Sequence, residues 1–176
     1  MHNRTKKWAK PELEVCPYFT NEPETKRGHW REQFKKDQPL YLELGCGKGV
    51  STAAMVRDNL DINYVAMDIT CNVLGDTRRN MEAAFAGEPI ENVIIARYDI
   101  SYIEKVFAPE DRVERIYINF CNPWTKRPKY AKRRLTHPRQ LMQYREFLVD
   151  GGEIWFKTDD TALFTESLPY FEACGF

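Results

Sequence analysis

No stretch of this chain approaches the roughly 20 consecutive apolar residues that a membrane-spanning helix needs. The basic opening Met1-His2-Asn3-Arg4-Thr5-Lys6-Lys7 is followed by no apolar segment of the kind that marks a secretory signal. Both absences lead to the expectation of a cytoplasmic protein without a membrane partner. The five cysteines, Cys16, Cys46, Cys71, Cys121 and Cys174, are widely spaced and form no C-x-x-C, so free thiols are expected and a zinc site is not. His2, His29 and His137 have no neighbours that would complete a metal set and read as surface or capping residues, so no metal is expected. Internal repeats and low-complexity segments are missing too. A further absence is local. From Arg115 to Arg145 there is no Asp or Glu, while that window carries nine Lys and Arg residues in a chain whose formal net charge is 0. One concentrated basic patch on a neutral protein suits a polyanion bound at a defined place.

What is present reads as one globular unit. The 176 residues are 43% hydrophobic and 30% charged, enough for a single core with an ordinary soluble surface. Tyr41-Leu42-Glu43-Leu44-Gly45-Cys46-Gly47-Lys48-Gly49 is an apolar strand running into a glycine turn, and a helical pattern begins directly after it. Glycines let the backbone take positive φ and approach a ligand, and the first N–H groups of the helix are free to face it. A dinucleotide fingerprint needs a third glycine at the sixth position, where Val50 stands. The stretch resembles instead the E-x-G-x-G-x-G first motif of S-adenosylmethionine-dependent methyltransferases. An ammonium and a sulfonium suit a carboxylate at Glu43. A plain packing turn is the alternative.

The rest of the chain alternates. Strands are expected over 40–44, 63–68, 93–96, 113–120 and 153–158. Helices are expected over 49–59, from about Thr70 past Phe85, over 101–107, from Thr136 as N-cap, and from Asp159–Asp160, with Pro169 kinking or shortening the last. Five alternations predict an α/β, doubly wound, mainly parallel sheet. Residues 1–38 read as a basic arm and polar lead-in anchored by Trp8, Tyr18, Phe19, Trp30 and Phe34, with a short helix near 28–34 and no clean period elsewhere, and residues 39–176 as the catalytic domain. Arg4, Lys6 and Lys7 read either as an arm reaching for an anion or as a solvated terminus. Asp68 ends the second strand, where ribose hydroxyls would be held or the next helix capped. Asp99 follows the third strand, where an adenine amino group would be met. Tyr117 and Trp155 read as core aromatics.

The fourth strand runs into Asn122-Pro123-Trp124 and then the basic loop. Asn122 and Trp124 offer a polar edge and a stacking plane, and the Lys and Arg residues suit phosphates of a structured RNA. Asn122-Pro123-Trp124-Thr125-Lys126-Arg127-Pro128-Lys129-Tyr130-Ala131-Lys132-Arg133-Arg134-Leu135 resembles the D-P-W-P-K-K-R-H-x-K-R-R-L signature of the bacterial tRNA (guanine-N7-)-methyltransferases. Phe156-Lys157-Thr158-Asp159 matches their F-K-T-D, and Lys6-Lys7-Trp8-Ala9 their opening K-x-W-A. The resemblance implies a Rossmann-like methyltransferase fold and methyl transfer from S-adenosyl-L-methionine to N7 of a guanine in the tRNA variable loop, by a monomer or homodimer. It implies cofactor contacts at Glu43, Gly45, Gly47, Asp68, Asp99 and Asn122, a catalytic role for Asn122, and tRNA contacts at Lys126 and Asp159. Arg133 and Arg134 join the RNA footprint through the charge of the loop.

Two departures bear on this expectation. Asn122 stands where the family has Asp, and the chain stops at Phe176, short of two further strands that the resemblance implies, so a fragment is expected. The competing readings are an amino-methylating nucleic-acid enzyme of the N-P-P-Y type, a small-molecule methyltransferase, and a tRNA-binding relative without turnover.

Overall fold

The computed structural model describes residues 5–124 and 128–176. Among them, six strands form one sheet: β1 (Phe19–Thr20), β2 (Leu40–Leu44), β3 (Asn63–Asp68), β4 (Val93–Arg97), β5 (Val113–Asn119) and β6 (Leu148–Lys157). Their spatial order is β1-β4-β3-β2-β5-β6, and every pairing is parallel. The helices are α1 (Ala9–Glu14), α2 (Val50–Asp58), α3 (Cys71–Phe85), α4 (Pro138–Phe147) and α5 (Thr161–Ala173), joined by short 3₁₀ turns. The chain starts its winding at β2, travels out through β3 and β4, and returns to the other side of β2 with β5 and β6. The reversal puts a crevice at the carboxyl ends of β2 and β5, where open α/β sheets bind ligands.

The sequence of β2 explains its place. Leu40, Leu42 and Leu44 point to one side, into a core shared with Trp30, Phe107, Leu141, Tyr144 and Phe147. Tyr41 and Glu43 point to the other, where Tyr64, Tyr117, Ala53, Val56, Leu74 and Phe85 form the second core layer. In β3, Asn63 through Met67 are all buried, so this central strand carries no alternation.

The apolar anchors of the lead-in are the inner sides of several short pieces, which is why they follow no single period. β1 adds a sixth strand beside β4. α1 packs on α3 across Gly75, where a Cβ would lie 2.7 Å from Ala9 Cβ. Trp30 stacks on Phe107 at 5.2 Å and donates its indole N–H to Val106 O at 2.9 Å. The buried Asp111 carboxylate accepts the N–H groups of Gly28, Trp30 and Ala108 at 2.8–2.9 Å. Lys6 pairs with Asp76 on α3 instead of reaching outward, while Lys7 is exposed. Arg4 and His2 lie outside the described residues.

Three other expectations change. α4 is capped by His137, whose Nδ1 accepts the Arg139 N–H at 3.2 Å, while Thr136 turns inward to the Ser167 hydroxyl at 2.7 Å. β6 begins at Leu148, five residues early, because Asp150-Gly151 is absorbed into the strand through a register shift opposite Val113–Arg115, with Gly151 at φ 74°. α5 runs through Pro169; Thr165 and Pro169 are both exposed, so the backbone group the proline leaves unpaired stays with water.

Candidate active site

The turn after β2 depends on its glycines. Gly45, Gly47 and Gly49 have φ of 82°, 57° and 67°. The N–H groups of Gly45 and Cys46 both donate to Met67 O at 2.9 Å, which folds the turn over the end of β3. The Gly47 N–H donates to the Asp68 carboxylate at 3.2 Å, and the Thr77 hydroxyl donates to Gly47 O at 2.8 Å. Asn80 reaches Lys48 O at 2.8 Å. The turn is thus clamped from β3 and from α3, and a Cβ at Gly47 would meet nothing within 4 Å. This combination of a rigid backbone with open space in front of it is what an adenosyl-type ligand requires.

Glu43 lies beneath the turn. It is 3% exposed, and its carboxylate accepts hydrogen bonds from Thr52 Oγ1 (2.6 Å), Tyr64 OH (3.2 Å) and Asn119 Nδ2 (3.2 Å). One side chain therefore ties together α2, β3 and β5 at the reversal point of the sheet. A cleft of about 470 Å³ opens beside it, between α2 and the β5–β6 side of the sheet, lined also by Ser51, Tyr117, Asn119, Trp155 and Lys157. Trp155 is not core but 50% exposed, packed edge-on against Tyr117 at 5.6 Å and beneath the Arg115 guanidinium at 4.3 Å.

Asp68 is half-buried. Besides Gly47 it accepts the Thr70 N–H and hydroxyl at 3.1 and 3.2 Å, so it closes the glycine turn and the start of α3 at once. Burial pushes its carboxyl above the ordinary 3.8, against the pull of those hydrogen bonds. Asp99 is exposed and accepts the Ser101 N–H at 3.0 Å, opening the 3₁₀ turn Ile100–Lys105. It and Asp68 both stand at the carboxyl side of the sheet.

The opposite wall comes from the loop after β5. Phe120 and Trp124 take positive φ of 49° each, a conformation that bulky residues hold only where the surroundings impose it. Asn122 is exposed, and its Oδ1 accepts the Trp124 N–H at 3.1 Å. The basic segment then divides. Arg133 is exposed, with its guanidinium 5.1 Å from the Trp124 ring and 4.9 Å from Tyr130. Arg134 faces the opposite way. It is 4% exposed, donates from Nε to Pro123 O at 2.9 Å and pairs with Glu166 on α5. Arg134, expected among the phosphate contacts, thus stands buried, with Nε and Nη1 turned to protein acceptors and away from solvent. Leu135 turns back toward the glycine turn, 3.8 Å from where a Cβ of Gly45 would be. Lys129 and Lys132 are exposed, as is Asp159, and Asp160 beside it caps α5 through the Leu163 N–H at 2.7 Å. Lys126, Thr125 and Arg127 lie outside the described residues.

The methyltransferase family model Methyltransf_4 matches residues 37–175, essentially the span from the approach to β2 through α5. A tRNA (guanine-N(7)-)-methyltransferase of Clostridium perfringens (strain SM101 / Type A) is 51% identical over 179 residues, covering 100% of this chain and 81% of that protein. The chain belongs to the tRNA (guanine-N(7)-)-methyltransferase family. Another member, from Clostridium beijerinckii, is 52% identical over 178 residues with the same coverage of 100% and 81%. The chain thus spans about four-fifths of the length of these family members. Solved structures agree on the fold alone. A precorrin-6y C5,15-methyltransferase from Geobacter metallireducens superposes with a TM-score of 0.59 at 14% identity, over 78% of this chain and 64% of that one. Spermidine synthase from Thermotoga maritima does so with 0.57 at 14%, over 86% and 50%.

Seen as a member of that family, the chain has two functional supports that its sequence did not flag. Thr77 underpins the glycine turn from α3, and Asn119 presents Glu43 with an amide from β5. Neither belongs to a local motif; each is 30 or more residues from the group it serves. Among the described residues no helix is long and apolar enough to cross a membrane, and no cluster of His, Cys, Asp and Glu would hold a metal ion.

Proposed function

We propose that the chain transfers a methyl group from S-adenosylmethionine to N7 of a guanine in the variable loop of tRNA. The observation that carries this reading is the approach of the basic loop to the glycine turn, with Leu135 beside Gly45 and Arg133 stacked outward on Trp124. A cofactor seat and an RNA surface meet in one crevice. S-adenosylmethionine, when bound, supplies a methyl group on a positively charged sulfur.

The residues present suit it. The open face of Gly47 admits a close ligand, Asp68 offers a half-buried carboxylate to hydroxyls, and Glu43 places negative charge in the floor beneath a cationic group. Asp99 offers a further acceptor at the crevice rim. Guanine N7 has an in-plane lone pair and no proton to remove, so the site has to orient the base and needs no general base. Asn122 fits that demand. Its Oδ1 is occupied by the Trp124 N–H, which leaves its NH₂ to donate to the guanine edge. Trp124 supplies a face for stacking, and Lys129, Lys132, Arg133 and, outside the described residues, Lys126 supply charge for phosphates. Asp159 stands exposed at the same end of the sheet for an RNA hydroxyl or base edge. The reaction takes place on cytoplasmic tRNA, with the enzyme acting as monomer or homodimer.

The test is methyl transfer from labelled cofactor to unmodified tRNA, with nucleoside mass spectrometry of the product. 7-Methylguanosine in the variable loop supports the reading; N6-methyladenosine, or cofactor binding with no transfer, overturns it.

A further inference from the structure

The two adjacent arginines of the basic loop have opposite surroundings. Arg133 is exposed and lies over two aromatic rings; Arg134 is buried and directs its Nε and Nη1 at protein groups. A guanidinium keeps its charge at any accessible pH, so a buried one needs acceptors fixed in place. Arg134 has two. One is the carbonyl of Pro123, in the peptide that joins Pro123 to Trp124. The other is the Glu166 carboxylate on α5, which is half-exposed.

We propose that Arg134 and Glu166 are positioning residues, a clamp that sets the Asn122–Trp124 turn at its working distance from the glycine turn. The turn is pinned from two sides. Asn122 Oδ1 holds the Trp124 N–H from within, and Arg134 Nε holds Pro123 O from behind. A second tie runs in parallel from the next residue of α5, where Ser167 meets Thr136 at 2.7 Å. Between the two ties sits Leu135, with its carbonyl accepting the Tyr144 hydroxyl at 3.0 Å and its side chain beside Gly45. α5 thereby governs the spacing of the two walls of the crevice, although none of its residues lines the glycine turn. The positive φ at Phe120 and Trp124 is the strain that such anchoring has to hold.

This inference rests on the proposed function only for its catalytic readout. Glu166→Ala removes a half-exposed side chain and leaves the buried Arg134 guanidinium with Pro123 O as its acceptor. It is expected to speed amide exchange at Trp124 at least tenfold, with exchange in β2 and β5 unchanged. It is also expected to lower kcat for methyl transfer at least tenfold, while tRNA Kd and its salt dependence stay within twofold of the parent. Glu166→Gln, which keeps an oxygen acceptor, should fall between. Arg134→Met, which removes the charge and keeps most of the bulk, should likewise leave the salt slope of tRNA binding unchanged, in contrast to Arg133→Ala. Unaltered exchange at Trp124 in Glu166→Ala overturns the clamp, as does a salt slope that drops as much for Arg134→Met as for Arg133→Ala. If the parent chain transfers no methyl to tRNA, the functional reading fails, and the exchange and salt arms still decide the clamp.

Discussion

Thr77 fills the space that a side chain at Gly49 would need. A Cβ at Gly49 would lie 2.4 Å from Thr77 Cγ2, and the Thr77 hydroxyl meanwhile holds Gly47 O at 2.8 Å. The third glycine of the motif is thus required by α3 packing, whereas the second has open space where a Cβ would stand.

Substitutions in the turn should separate these two requirements. Gly47→Ala adds only left-handed strain, about 1–2 kcal/mol. Gly49→Ala adds the same strain plus overpacking of about 1–3 kcal/mol. Urea unfolding should rank Gly49→Ala well below Gly47→Ala in stability, whereas calorimetry with S-adenosylmethionine should show the larger loss of affinity per unit of lost stability in Gly47→Ala.

Glu43→Ala strands two buried donors, those of Thr52 and Tyr64, and the half-buried Asn119 amide, and a stranded buried group costs about 1–3 kcal/mol. Unfolding should show a loss of several kcal/mol (about 2–5) alongside weaker cofactor binding. Glu43→Gln keeps shape and acceptor. It should retain most of the stability while still weakening the cofactor, which assigns that part of the effect to charge.

Asn122→Asp exchanges the exposed amide donor for an acceptor and keeps the bond to the Trp124 N–H. Asn122→Ala removes both. Steady-state methyl transfer should show kcat falling about tenfold or more in Asn122→Ala, the range expected when a positioned group is lost. Asn122→Asp should remain active, since N7 asks for no proton removal.

Arg133→Ala should weaken tRNA binding and reduce the slope of log K against log salt by about one, read from filter binding at several salt concentrations. An unchanged slope removes Arg133 from the phosphate contacts.

His137 titration gives a pH signature. Its Nδ1 must be unprotonated to cap α4, and burial, followed by the charges of Lys132, Arg139 and Arg134, holds its pKa below the ordinary 6.5. The unfolded chain therefore takes the proton first. The cap's contribution is full above pH 6.5 and is lost as pH falls through the lower folded value. Tm measured from about pH 7.5 down to about pH 5 should decline, and His137→Asn, an N-cap acceptor that does not titrate, should flatten that part of the decline.

Much of the architecture was legible because it was local. β2 and β3 fall at the expected bounds, since apolar runs closed by a glycine turn or an acid need no partner to be recognised. The lead-in was legible only as apolar anchors: Tyr18 and Trp30 stand out by residue type, but Leu13, Tyr18 and Trp30 are buried one at a time against α3, β4 and Phe107, and such burial leaves no period from which to read the short elements. His137 replaced Thr136 as the cap because Ser167, 31 residues on, claims the threonine hydroxyl. Trp155 looked like core from its apolar bulk, but a ring on the last strand of the sheet has a neighbour on one side only among the described residues.

By itself the sequence determined the winding order, the glycine turn, the charge of the loop after β5 and the family. These follow from residue type and spacing along the chain. Only the tertiary structure decided what each side chain faces. Two arginines one residue apart are equivalent in sequence, yet Arg133 meets solvent and Arg134 meets Pro123 and Glu166. That choice is made by α5, which folds against the loop from 32 residues away.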